Sequence, residues 1–327
     1  MNRPPLRQTP SLTPVDAPST GTQRPSRDLG PASMFARAWR WCHWFSLDIG
    51  LGAALSALWV GRAWGSEPSK WSIIALACGA LWVYSVDHWA DAGKARHLMA
   101  YQISARREFY VHQRFWLALI ATASAIVGGW ASLWLPASTQ IFGVICLIVC
   151  GGYLWGVQRR PELARVRYPK ELLITSLYSA ALSLWPISHV FDPPASFSPI
   201  EGSISSALIF CLAWANLCLI SAHERRDDAA EGSSSLALRL GEFTTRNMGR
   251  GMLRCGVFLW GVRFVPVSVT GPYSWVRLAD ASASALMLFT LWQLYRRPEW
   301  SALHSRYRLW ADLVFVYPAL GLIIDWI

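Results

Sequence analysis

The pattern of apolar and polar positions divides the chain into long apolar stretches joined by basic loops. Nine stretches approach the ~20 residues that a helix needs to cross the hydrocarbon of a bilayer. They are 45–63, 71–90, 115–135, 139–157, 171–191, 203–222, 251–269, 277–295 and 309–327. Arg263 interrupts the seventh, where it can snorkel outward or face the protein interior. Residues 1–33 are rich in Pro, Ser, Thr and Arg and contain no apolar run. They lack the core of a secretory signal and cannot bury enough surface to fold, so a disordered cytoplasmic tail is expected there. Phe35 to Trp44, with its Arg and Trp residues, reads as an interfacial segment. The pattern predicts an all-α, polytopic membrane protein with nine transmembrane helices over residues 34–327.

Composition agrees with this and narrows the partners. Of 327 residues 53% are hydrophobic, 20 are Trp and only 15% are charged, which is too little charge for a soluble domain of this size. The net charge of +10 is not a nucleic-acid footprint, because the basic residues sit in alternate loops and not on one face of a soluble fold. Twenty Lys and Arg residues lie in or beside the loops after segments two, four, six and eight, against three in the others. That asymmetry places the even loops and the N-terminus in the cytoplasm and the C-terminus on the opposite side. The seven Cys residues form no Cys-x-x-Cys pair and lie mostly inside apolar segments, so neither disulfide nor metal is assigned to them.

Against this background two acidic pairs stand out. Asp87 and Asp91 end segment two, and Glu224 and Asp228 follow segment six. Residues four apart share a helix face, so the two carboxylates of each pair repel one another. They also sit at helix C-termini, where the macrodipole favours cations. A single such pair is most often a solvated loop edge balancing nearby arginines. Two pairs, four spans apart and on one membrane face, point to function overriding stability. A divalent cation resolves the conflict: Mg²⁺ takes one or two carboxylates, keeps several waters and completes its shell with substrate phosphates. Two facing pairs would hold one metal each and clamp a diphosphate. The long loops after the pairs are each expected to carry a short amphipathic helix that caps a cavity.

The run Asp228-Ala-Ala-Glu-Gly232-Ser-Ser-Ser235-Leu-Ala-Leu-Arg239-Leu-Gly241 resembles the second acidic motif of the UbiA superfamily of intramembrane prenyltransferases, and Asp87-x-x-x-Asp91 resembles the end of its first. The resemblance covers about residues 45–327, with its specific motifs in two loops. It implies nine helices around a central cavity with cytoplasmic cap loops. By position it implies that Asp87 and Asp91 bind one Mg²⁺ and Glu224 and Asp228 the other. Arg159 or Arg160, following Tyr153, resembles the basic patch that contacts the diphosphate, and Lys170 is a further candidate. The implied reaction is transfer of an isoprenoid group from a polyprenyl diphosphate to a lipophilic acceptor within the membrane. The chain departs from the family pattern at Val83 and Ile220, where Asn is usual one turn before each pair, and at Glu224 and Ser235, where Asp and Thr are commoner. The quinone-branch run after the first motif is absent, since the chain reads Lys94-Ala95-Arg96-His97-Leu98.

Other readings are weaker. Asp91-Ala92-Gly93-Lys94-Ala95-Arg96 is similar to the opening of the CDP-alcohol phosphotransferase motif, but its spacing is off by one and the remaining acids do not follow. The seven His residues show no metal-ligand spacing; His88 and His223 adjoin the acids and read as interfacial histidines. Asp48, Asp280 and Asp312 lie near segment ends and read as headgroup-solvated, with Asp48 the first to test. A transporter-like or non-catalytic lipid-binding protein that keeps the fold remains the alternative function. The charge count makes its own prediction: a reporter that matures only in the cytoplasm will be active when fused after Arg297 and silent when fused after Ile327.

Overall fold

The computed structural model describes residues 41–95, 105–159, 170–190, 193–194, 196–230, 235–264, 274–302 and 306–321. The tail expected over residues 1–33 and the candidate Arg160 lie outside them, and of Arg159 only the backbone is described. Among the described residues every regular element is a helix. In chain order these are α1 (Leu47–Trp64), α2 (Lys70–Ala95), α3 (Ala105–His112), α4 (Arg114–Ser132), α5 (Ala137–Arg159), α6 (Lys170–Ser188), α7 (Pro199–Ala230), α8 (Leu236–Leu240), α9 (Glu242–Phe264), α10 (Ser274–Arg296), α11 (Pro298–Ala302) and α12 (Arg306–Leu313). A 3₁₀ turn, Val314–Val316, follows α12.

Eight long helices overlie the first eight apolar stretches, and the short helices α3 and α8 fall in the loops that follow the acidic pairs. The ninth stretch is broken. Pro318 has no backbone N–H and its ring crowds the turn before it, so α12 gives way to the 3₁₀ turn and then to a turn at 317–318. Large apolar side chains cover the outside, among them Phe115, Ile126, Leu133, Ile148, Phe258 and Phe289. A soluble protein would not leave so much apolar area in water, whereas a bilayer solvates it. The chain is an all-α polytopic membrane protein.

Helix α7 is the axis of the bundle, packing on α1, α6, α8, α9, α10 and α12. Its Leu208, Ile209, Leu212 and Leu219 meet Trp59 and Val60 of α1, Leu182 of α6, Leu253 of α9 and Met287, Leu291 and Leu294 of α10 in one core. By contrast α4 packs mainly on α2, and α5 mainly on α6. At one end of the bundle Ser196 Oγ donates to the Gly65 carbonyl at 2.7 Å, and the Ser198 N–H donates to the Trp64 carbonyl at 2.8 Å. These bonds hook the start of α7 onto the end of α1, where Gly65 takes the left-handed conformation (φ 66°) that ends the helix.

Arg263 turns inward. Its guanidinium lies 4.8 Å from the Trp59 ring centroid and within the field of Asp280. Asp48 and Asp280 are only 4% and 5% exposed, so the expectation of headgroup solvation fails for both. Each has found a protein cation instead: His43 for Asp48 and Arg263 for Asp280.

Helices α9 and α10 approach closely because position 249 has no side chain. The Tyr295 hydroxyl donates to the Ala215 carbonyl of α7 at 2.7 Å, and a Cβ on Gly249 would lie 1.7 Å from that oxygen. Gly249→Ala is therefore expected to destabilise the protein by about 1–3 kcal/mol, seen as a lower melting temperature in detergent. Gly251→Ala, where a Cβ meets nothing within 4 Å, serves as the control and will not lower it.

Candidate functional site

The second half of α2 sets the first wall of the site. Asp87 and Asp91 fall one turn apart on it, both half-buried. A Arg107 Nη2 donor from α3 lies 3.5 Å from the Asp91 carboxylate. Helix α3 is held against α2 by aromatic packing: His88 stacks on Tyr110 with centroids 4.3 Å apart, and Phe109 sits among Trp41, Trp44 and Phe45. This docking directs Arg106 of α3 inward. Burial opposes its charge, but Tyr110, Glu224, Tyr307 and Asp312 outweigh that and keep it firmly protonated.

The second wall comes from the end of α7. Glu224 is not free there: Arg308 Nε and Nη2 grip its two carboxylate oxygens, and the Tyr307 hydroxyl donates to Oε1 at 2.9 Å. The neighbouring His223 stacks on the Tyr307 ring at 4.5 Å and shares a 3.0 Å hydrogen bond with Ser301. One turn on, Asp228 is half-buried and Asp227 exposed.

Lys170 joins the walls. It begins α6, and burial works against its charge. Glu171, Asp228, Asp87 and Asp91 overcome that burial and raise its pKa above the ordinary lysine value. One ammonium thus lies within the electrostatic reach of carboxylates from both acidic pairs. Tyr153, near the end of α5, is within the fields of Glu171 and Asp87. Of the residues singled out in the sequence, the structure therefore gathers Asp87, Asp91, Asp228, Lys170 and Tyr153 at one end of the bundle. Glu224 lies at the same end but is engaged by Arg308.

Four residues of this region carry no sequence signal. Glu171 is 4% exposed, and its Oε1 accepts the Leu236 N–H at 2.8 Å; Ser221 Oγ accepts the Ala237 N–H at 2.9 Å. The N-terminus of α8 is thus capped by α6 and α7, while the local Ser235 makes no capping bond. Arg308 and Tyr307 are 84 and 83 residues from their partner Glu224, so no local spacing could reveal them.

The donor set can be tested against a divalent cation. Asp87 and Asp91 offer two carboxylates on one helix face, with Arg107 beside Asp91, and they suit an ion that keeps waters and phosphate oxygens. Asp228 suits the same ion. Glu224 suits it only on release from Arg308. Among the described residues, the group of three or more ligand-type side chains that converges most closely is a different one: His43, Asp48 and Asp312.

No family model and no curated protein matches the sequence. Solved structures do. The apo structure of a UbiA homologue from Aeropyrum pernix K1 superposes with a TM-score of 0.62 at 11% identity, over 86% of this chain and 99% of that one. A structure of digeranylgeranylglyceryl phosphate synthase superposes with a TM-score of 0.52 at 12% identity, over 89% of this chain and 100% of the other. The chain therefore shares the fold of these two structures, one of them a UbiA homologue, and UbiA is the family that its two acidic motifs resemble.

Proposed function

We propose that the protein is an intramembrane prenyltransferase that moves an isoprenoid group from a polyprenyl diphosphate to a lipophilic acceptor in the bilayer. The observation that carries this reading is that Asp87, Asp91 and Asp228, from two helices, all act electrostatically on the buried Lys170. Acids from two helices and a buried ammonium make a place for an anion together with its counter-cations. In this reading Asp87, Asp91 and Asp228 hold Mg²⁺, which when bound would neutralise the diphosphate as a leaving group. Lys170 and Arg106 bind and orient the phosphate oxygens, and Arg159 and Arg160 are further candidates for that role on their sequence position alone. Tyr153 offers its hydroxyl from α5 as a hydrogen-bond donor. The apolar helices on either side keep water from the allylic carbon once the C–O bond breaks.

Glu224 marks the place where this chain differs from the reading that the motif alone suggests. Its ion pair with Arg308 has side chains only 15% and 17% exposed, so it is a closed, mostly desolvated contact. In this reading Arg308, once released from Glu224, would bind the diphosphate, and Glu224 would then be free to help hold Mg²⁺. That same closed pair favours the second reading, a lipid-binding protein without turnover in which Arg308 never lets go.

The two readings part on activity. Purified protein is expected to release diphosphate from an isoprenoid diphosphate only with Mg²⁺, and Asp87→Asn and Asp228→Asn should each abolish release. A donor panel that reacts with none of a set of quinone, porphyrin and lipid-alcohol acceptors would refute the enzymatic reading. Arg308→Gln leaves Glu224 without its partner, which is expected to cost up to about 3–5 kcal/mol of stability. It should also lower the Mg²⁺ concentration that gives half-maximal activity, because Glu224 is freed. The double variant Glu224→Gln/Arg308→Gln should recover much of the melting temperature and lose that gain in Mg²⁺ affinity.

A further inference from the structure

We propose that His43, Asp48, Asp312 and Asn216 form a binding site for one transition-metal divalent cation, separate from the two acidic pairs. His43 Nδ1 lies 2.7 Å from Asp48 Oδ2 and 3.6 Å from Asp312 Oδ2. One ligand atom from each of the three residues falls within 4.8 Å of the others. The side chains are withdrawn from solvent, that of Asp48 to 2% exposure and those of His43 and Asp312 to 14%.

The second observation is independent of this cluster of charge. Asn216 of α7 is 6% exposed and its side chain hydrogen-bonds to Asp312. Its Oδ1 is buried, with no hydrogen-bond partner among the described residues. The amide N–H faces Asp312, and turning the amide over would present that oxygen to the cluster as a fourth donor. That oxygen is also an unsatisfied acceptor that a cation would relieve.

One imidazole nitrogen, two carboxylate oxygens and one amide oxygen suit ions of the Mn²⁺ to Zn²⁺ series. The imidazole argues against Mg²⁺ and Ca²⁺, which take oxygen. Without the metal, a proton on His43 Nδ1 serves in its place: it binds Asp48 directly and faces Asp312. Binding exchanges that proton for the cation, and the side chains draw in from their present spacing to bond lengths of about 2.0–2.2 Å. Asp48 belongs to α1, Asp312 to α12 and Asn216 to α7, while His43 precedes α1. The ion would therefore tie three helices together a little over two turns of α7 from Glu224. Arg106 acts on both His43 and Asp312 and opposes the cation.

The test uses Co²⁺ as probe on the full chain in detergent, in an Asp87→Asn/Asp228→Asn background that disables the acidic pairs. It contains no isoprenoid and does not depend on the proposed transfer reaction. One equivalent of Co²⁺ is expected to give a visible ligand-field band that Zn²⁺ displaces. His43→Gln and Asp312→Asn should each remove the band, and Arg106→Gln should tighten binding. Should either ligand variant fail to elute as a single species, Asn216→Ala keeps the His43–Asp48 bond and must still weaken Co²⁺ binding. Absence of the band, or a band untouched by these ligand substitutions, overturns the proposal.

Discussion

The organisation of this bundle depends on how its buried carboxylates are compensated. A carboxylate taken out of water and left unpaired costs several kcal/mol, so each one constrains the elements around it. Four separate solutions lie at the same end of the helices. Glu171 accepts a hydrogen bond from a backbone N–H at the start of α8, Glu224 is paired with Arg308 and Tyr307, and Asp48 and Asp312 face His43. Asp87, Asp91 and Asp228 lie within the electrostatic reach of Lys170. Apart from the local His43–Asp48 bond, each contact joins elements distant in sequence, and together they help fix how α1, α2, α6, α7 and α12 meet.

The opposite end is assembled by different means. Backbone hooks at Gly65 and the inward-turned Arg263 fasten it. Apolar packing along α7 joins the two ends. The division follows from the solvent. In hydrocarbon there is little hydrophobic drive between helices, so small residues and polar bonds supply specificity. Charge can then be concentrated where a ligand or the interface can meet it.

Much of this was legible in the sequence, for identifiable reasons. Apolar length alone located eight helices, because a bilayer demands spans of nearly fixed length. In the ninth stretch the helix is interrupted at Pro318, a feature that apolar length does not register. The acidic pairs were visible since both break two local rules, repulsion at i, i+4 and an unfavourable macrodipole. Their partners were not. Arg308, Tyr307 and Glu171 act across long sequence separations, and a basic residue in a cytoplasmic loop looks the same whether it serves topology or a site. Asp48 was flagged but assigned to headgroups, because burial cannot be read from nearness to a segment end.

The bilayer also lets one fold carry different chemistry. Structures 11% and 12% identical to this chain match it over nearly their whole length. Lipid requires every backbone group to be satisfied within the helices and every outer face to be apolar, and many sequences meet both conditions. Such a scaffold can persist while its site drifts. Residue type at the acidic positions is therefore more informative than superposition, and there this chain is mixed. It keeps four carboxylates, replaces the expected Asn residues with Val83 and Ile220, and clasps Glu224 with an internal arginine. An arginine bound to a carboxylate is a stored cation: it stabilises the site while no other positive charge is present and can be displaced by one that binds better. Whether Arg308 is exchanged during turnover or is permanent is thus the physical difference between an enzyme with a latched site and a fold that has kept only the outline of one.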